Sequence, residues 1–229
     1  MISWIAVFVL QKPLFMAIYH DKLPQGTTFS GWLDVMAHGL TLDISMAGYL
    51  MIIPALLLIA SVWVRQQIVC RTLTAYIVLS SLLVSAAFVV NAGLYRHWGF
   101  PLDSTPVFYF LSSPKDAMAS MTGEIIGYGI LSTLLLTATI SALLLLVSLR
   151  FRHSGFTDPH HGGNRLATTI VLSVLSLLLI IPIRGGITVS TANTGKVYFS
   201  DSAFLNHSAV NPMFSFIESM RRQENFGEQ

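Results

Sequence analysis

The chain has 229 residues, 53% of them hydrophobic and only 10% charged, with a mean hydropathy of +0.66. Soluble domains carry about 25% charged residues, so an ordinary soluble domain is excluded. The net charge of +2 comes from scattered side chains, with no basic tract beyond the Arg221 and Arg222 pair, so nucleic acid is not an expected partner; the single cysteine, Cys70, excludes an internal disulfide and a thiolate metal cluster.

Five apolar segments, at about residues 2–19, 40–64, 72–95, 123–149 and 165–183, organise the sequence. A hydrocarbon core of roughly 30 Å needs about 20 helical residues, and solid apolar blocks of this length do not alternate as the strands of a membrane barrel do. The predicted fold is therefore all-α: a polytopic transmembrane bundle of five helices over residues 1–183, followed by a short irregular extracytoplasmic linker over 184–229.

The first segment has no basic leader and no small-residue cleavage site before Lys12 and Pro13, so it reads as a transmembrane helix, interrupted where proline removes a donor. The second begins ahead of its apolar core, within 32–42, and bends at Pro54. After the third comes a loop, 99–122, punctuated by Pro101, Pro106 and Pro114. Ser112 or Ser113 would cap a short helix at 114–119, with Pro114 in first position and Asp116 in its first turn. Tryptophans and tyrosines gather near span ends, as in an interfacial belt. After Arg184, Gly185 and Gly186 permit a sharp exit; runs 188–191 and 196–199 read as extended around a turn at 193–195, and 206–219 has helical character.

Loop charge sets the expected orientation. Connections 65–71 and 150–165 hold Arg65, Arg71, Arg150, Arg152 and Arg165, whereas the opposite connections hold Lys22, Arg96 and Lys115 among five acids. Five basic residues against three place the N-terminus in the cytoplasm and the segment after Arg184 outside.

Lys12, Asp43 and Glu124 are the ionisable residues at or inside the spans. Lys12 and Asp43 fall at comparable depth on antiparallel helices, and they read either as a polar site for a lipid headgroup or ion, or as a structural pair. Gly39 shares a helix face with Asp43 and permits close approach of a neighbour. At the end of the third span Arg96 is placed to reach a phosphate or the loop carboxylate Asp103, with headgroup contact and simple anchoring both open. His38 has no second ligand at metal spacing and reads as structural or interfacial; His153, Asp158, His160 and His161 form a weak tract best read as a polar loop. No nucleophile–base pair, phosphate-binding loop or metal-ligand motif marks a catalytic centre, so no catalytic residue, metal or cofactor is assigned to this chain.

The segment His38-Gly39-Leu40-Thr41-Leu42-Asp43-Ile44-Ser45, followed by Tyr49 and Pro54, resembles the second helix of the lipoteichoic acid synthase-like membrane proteins of the sulfatase superfamily. Asn91 with Tyr95 through Asp103, and Arg184-Gly185-Gly186 with residues 206–215, are similar to that family's later segments in the same order. The resemblance implies a five-helix anchor and a linker leading to an extracytoplasmic α/β domain. That domain would hold a threonine nucleophile and a divalent metal, usually manganese, and would transfer phosphoglycerol or phosphoethanolamine or act as a sulfatase. On this reading the catalytic domain is missing from the chain, whose partners are membrane lipids and that domain. The alternative is a small non-enzymatic membrane protein, a transporter or a partner-binding anchor.

Overall fold

The computed structural model describes residues 1–119, 122–153, 164–186 and 191–227, and every regular element among them is helical. The long helices are α1 (Ile2–Ile18), α2 (Phe29–Ala60), α3 (Gln66–Trp98) and α6 (Gly123–His153); α4 (Thr105–Ser112) and α5 (Pro114–Ala119) lie between α3 and α6. α7 (Arg165–Leu177) and α8 (Ile180–Arg184) follow, then α9 (Ala203–Ala209) and α10 (Pro212–Gly227). Four segments are long and apolar enough to cross a bilayer, namely Phe29–Ala60, Gln66–Trp98, Gly123–Leu149 and Arg165–Arg184, which is compatible with a multi-pass membrane protein.

The predicted first span is a continuous helix of 17 residues that runs through Pro13 without a break. Its amino terminus lies 3.3 Å from the sulfur of Met51. That contact is about two and a half turns short of the end of α2, so α1 follows only part of α2's length. The fifth predicted span is divided. Leu178 and Leu179 bond to the carbonyls three residues back, and α8 restarts at Ile180. Pro182 accounts for this, because it has no N–H for the carbonyl of Leu178 and its ring crowds that oxygen.

Two side-chain ties fix this divided helix antiparallel to α2. Trp63 Nε1 donates to Thr169 Oγ1 at 3.0 Å, and Ser45 Oγ donates to the Ile183 carbonyl at 2.6 Å. From Ser45 to Trp63 is about 27 Å at 1.5 Å per residue, close to the thickness of a hydrocarbon core. α2 and α3, with 32 and 33 residues, are each about 50 Å long and project well past that layer. On α2 the surplus is the stretch before Ser45.

Burial follows helical periodicity. Trp4, Phe8, Lys12, Phe15 and Met16 form one face of α1, against Val35, Leu42, Met46 and Leu50 of α2. On α3 the buried stripe is rich in small and polar residues, including Ser80, Ser81, Ser85 and Asn91, while Leu79, Leu82, Leu83 and Val90 point outward. Small residues let helices approach closely where lipid removes the usual contrast between apolar inside and polar outside. α6 packs on α3, and α7 with α8 packs on α2. None of the hydropathic window of α7 and α8 is buried, so that helix offers its apolar surface outward.

The segment after Arg184 departs from the irregular linker expected there. Gly185, with φ of 85°, turns the chain, and α9 and α10 then pack back against α1, α2 and α3. The first half of the expected extended run at 196–199 instead ends a 3₁₀ turn over Thr194–Val197, closed by Asn193, whose side-chain oxygen accepts from the Lys196 amide at 3.2 Å, and the backbone becomes extended at Tyr198. The run at 188–191 lies largely outside the described residues. α5 occupies the predicted span 114–119, whereas α4, with Pro106 in its first turn, was hidden among turn signals.

Candidate functional site at the docked tail

Lys12 meets Asp43 where α1 crosses α2. Its Nζ lies 2.7 Å from Oδ1 and 2.5 Å from Oδ2, with the side chains 3% and 0% exposed. A third group comes from the far end of the chain: Asn211 Nδ2 donates to Asp43 Oδ1 at 2.9 Å. The opposite face of the same amide, Oδ1, accepts the Phe214 N–H at 3.1 Å and so caps α10, with Pro212 at its first position. Asn211 thus ties the start of α10 to the ion pair.

Gly39 makes this crossing possible. It lies one turn before Asp43 on the same face, and a Cβ there would run into the Lys12 side chain and the carbonyl oxygen of Ala209. Beside the pair lies a cavity of about 10 Å³ bordered by Phe8, Phe88 and Val210, room for at most one water. Both carboxylate oxygens and the ammonium are already engaged. This geometry suits fastening, which takes no ligand.

Above the ion pair is an aromatic cluster. Phe15 packs against Tyr19, Tyr95 and Phe204 with centroids 5.0–5.9 Å apart. The Tyr19 hydroxyl donates to the Ala92 carbonyl, tying α1 to α3. The Tyr95 hydroxyl lies 3.0 Å from His207 Nδ1, tying α3 to α9. Burial pushes the His207 pKa down, which favours the neutral ring, and an unprotonated Nδ1 there accepts from Tyr95. Lys22 Nζ stands over the rings of Tyr95 and Tyr19, 4.9 and 5.3 Å from their centroids, within cation–π range.

The remaining predicted polar residues do not converge on this centre. Asp103 accepts from the Thr105 amide and hydroxyl, both at 2.9 Å, and so organises the start of α4. Arg96 is exposed in the last turn of α3, beyond Tyr95. Glu124 is exposed in the first turn of α6, where a carboxylate complements the helix dipole. Asn91 accepts the Leu102 amide at 2.7 Å and fastens the loop that leaves α3. His38 stacks on Phe199 with centroids 4.3 Å apart, and its Nδ1 lies 2.9 Å from the Asp34 carbonyl. Asp158, His160 and His161 lie outside the described residues, and among the described residues no group of three or more His, Cys, Asp or Glu side chains could hold a metal.

Sequence reasoning gave no role to Asn211 and left Tyr95 and His207 unpaired. An Asn-Pro step opening a helix is visible as a cap signal. Nothing local to it indicates a partner 168 residues earlier. No protein-family model matches the chain, and neither a curated protein nor a solved structure does.

Proposed function

We propose that this chain is the membrane anchor domain of a lipoteichoic acid synthase-like protein of the sulfatase superfamily, positioning an extracytoplasmic catalytic domain encoded beyond it. In the complete protein that domain would transfer phosphoglycerol or phosphoethanolamine to a cell-envelope glycan or lipid, with its own threonine nucleophile and manganese. The bundle itself carries no step of that reaction. The observation that carries the reading is Asn211, which joins the Lys12–Asp43 pair to the first turn of α10. A tail tied in this way gives whatever follows α10 a defined starting point and direction on the bundle. The reading also draws on the order of the family-like segments, and on loop arginines that favour a cytoplasmic N-terminus and an extracytoplasmic tail.

The coding sequence downstream of Gln229 tests it. An in-frame domain of several hundred residues with an alkaline-phosphatase-like α/β pattern is expected. A stop codon, or a continuation lacking such a domain, overturns the proposal and leaves the small non-enzymatic membrane protein as the reading to pursue.

A further inference from the structure

The docked tail is fastened to the bundle at two unlike points. Asn211 joins it to the Lys12–Asp43 pair, and four residues earlier His207 joins it to Tyr95 at 3.0 Å. The Asn206 side chain turns back on Phe199 and Ser200, and that of Ser208 on Phe204. Among the described residues, His207 is therefore the one α9 side chain that hydrogen-bonds to α1, α2 or α3. This second fastening is built on an imidazole, the side chain that changes charge nearest neutral pH.

The surroundings of that ring oppose a proton. On α1, Lys12 borders the same small cavity as His207. Its partner on α2, Asp43, is already shared between Lys12 and Asn211. From the turn at His20–Lys22, Lys22 Nζ stands 4.9 Å from the centroid of the Tyr95 ring, and the His207 ring lies 5.8 Å from the same centroid. The other titratable neighbours are neutral phenols: Tyr95 on α3, Tyr19 against it on α1, and Tyr198 ahead of α9, whose ring is 6.1 Å from His207. Asp21 and Arg96, next in sequence to Lys22 and Tyr95, are exposed and screened by water. A proton on His207 would add a third cation to a site that already holds two. The carboxylates among these groups are one fully engaged and one in solvent. The Tyr95 hydroxyl can turn to accept from an imidazolium, so the hydrogen bond alone does not resist protonation; the added charge does.

We propose that His207 makes the docking of α9 acid-sensitive: on taking up a proton it releases α9 from Tyr95, while Asn211 keeps α10 tied to the bundle. Burial holds the docked imidazole below its ordinary value of 6.5, to which it returns when α9 opens. The open form then binds more protons than the docked one. Docking is at full strength above about pH 6.5 and weakens as pH falls toward the docked value, by at most about tenfold per pH unit for one proton. The latch needs only the described bundle and tail, whatever domain follows them, and it reads the pH on the side where the tail docks.

The test is hydrogen exchange of residues 203–209 in the full chain in detergent, corrected at each pH for the intrinsic exchange rate. Opening of this segment should be about tenfold more frequent at pH 5 than at pH 7.5, with residues 213–219 unchanged. In His207→Gln the amide oxygen can still accept from Tyr95 but takes no proton, so the pH dependence should vanish. Lys22→Gln changes a turn outside α9 and removes one of the two neighbouring cations, and it should lower the ratio between pH 5 and pH 7.5 about threefold. A ratio near one in the unmodified chain, the same ratio in His207→Gln, or an unaltered ratio in Lys22→Gln overturns the proposal. Acid opening of 213–219 in step with 203–209 would show the tail leaving as a unit and would also overturn it.

Discussion

Removing water from both a lysine and an aspartate costs free energy that their attraction and hydrogen bonds must offset, so a buried pair shows its importance chiefly when one partner is deleted. At Lys12 and Asp43 the offset includes a third group, since Asn211 donates to the same carboxylate. Lys12→Met would leave the carboxylate buried with one neutral donor. The expected loss is about 3–5 kcal/mol, the usual cost of stripping one partner from a buried pair. Adding Asp43→Asn removes the stranded charge and should restore part of that loss, because a carboxamide can still accept from Asn211. Thermal unfolding of the four proteins in one detergent measures the coupling directly. Silent single changes, or losses that simply add, would show that the pair is not a structural tie.

The crossing of helices is as sensitive as the charges they carry. At Gly39 the opposing atoms are the Lys12 side chain, which has some freedom, and the Ala209 backbone carbonyl, which has little. Gly39→Ala should therefore force α9 away from α2 and cost about 1–3 kcal/mol, the range for overpacking a close contact. Gly93→Ala on α3 is the comparison, since a Cβ there meets nothing within 4 Å. Limited proteolysis of the two variants in detergent reads the outcome. Faster cleavage within 191–227 in Gly39→Ala alone is expected, and equal rates in both would show that α9 does not depend on this contact. The same two helices show what sequence can and cannot reveal. The apolar helices were legible because a bilayer imposes a length and an unbroken hydropathy, and Lys12 and Asp43 stood out as charges in apolar runs. The division at Leu178 and Leu179 was half legible, since Pro182 announces a fault without placing it. The docking of α9 and α10 was not legible, because Asn211 is an ordinary polar residue in a polar tail until the fold sets it beside Asp43. α4 was missed because Pro101 and Pro106 signal turns and helix starts alike.

At the scale of the whole molecule, α3 acts as the ruler. Gln67 lies exposed in its first turn, and Tyr95, near its other end, holds His207 of α9. The 28 positions between Gln67 and Tyr95 span about 42 Å of helix, more than a hydrocarbon core, so the anchor reading expects Gln67 and the docked tail on opposite sides of a membrane. The sidedness proposed rests on the arginines of connections 65–71 and 150–165, whose near ends are brought together by the contact between Trp63 and Thr169. Replacing the native thiol by Cys70→Ser allows single reporters, Gln67→Cys on one end and Asp201→Cys, at an exposed tail position, on the other. A membrane-impermeant maleimide added to intact cells should label Asp201→Cys at once and Gln67→Cys only after permeabilisation. The reversed pattern would keep the packing and invert the orientation, and with it the extracytoplasmic position proposed for the catalytic domain. Labelling of both from outside would mean that α3 does not cross the membrane between them. The tail would then be docked on the same side as the loop arginines, and the anchor reading would lose its geometric basis.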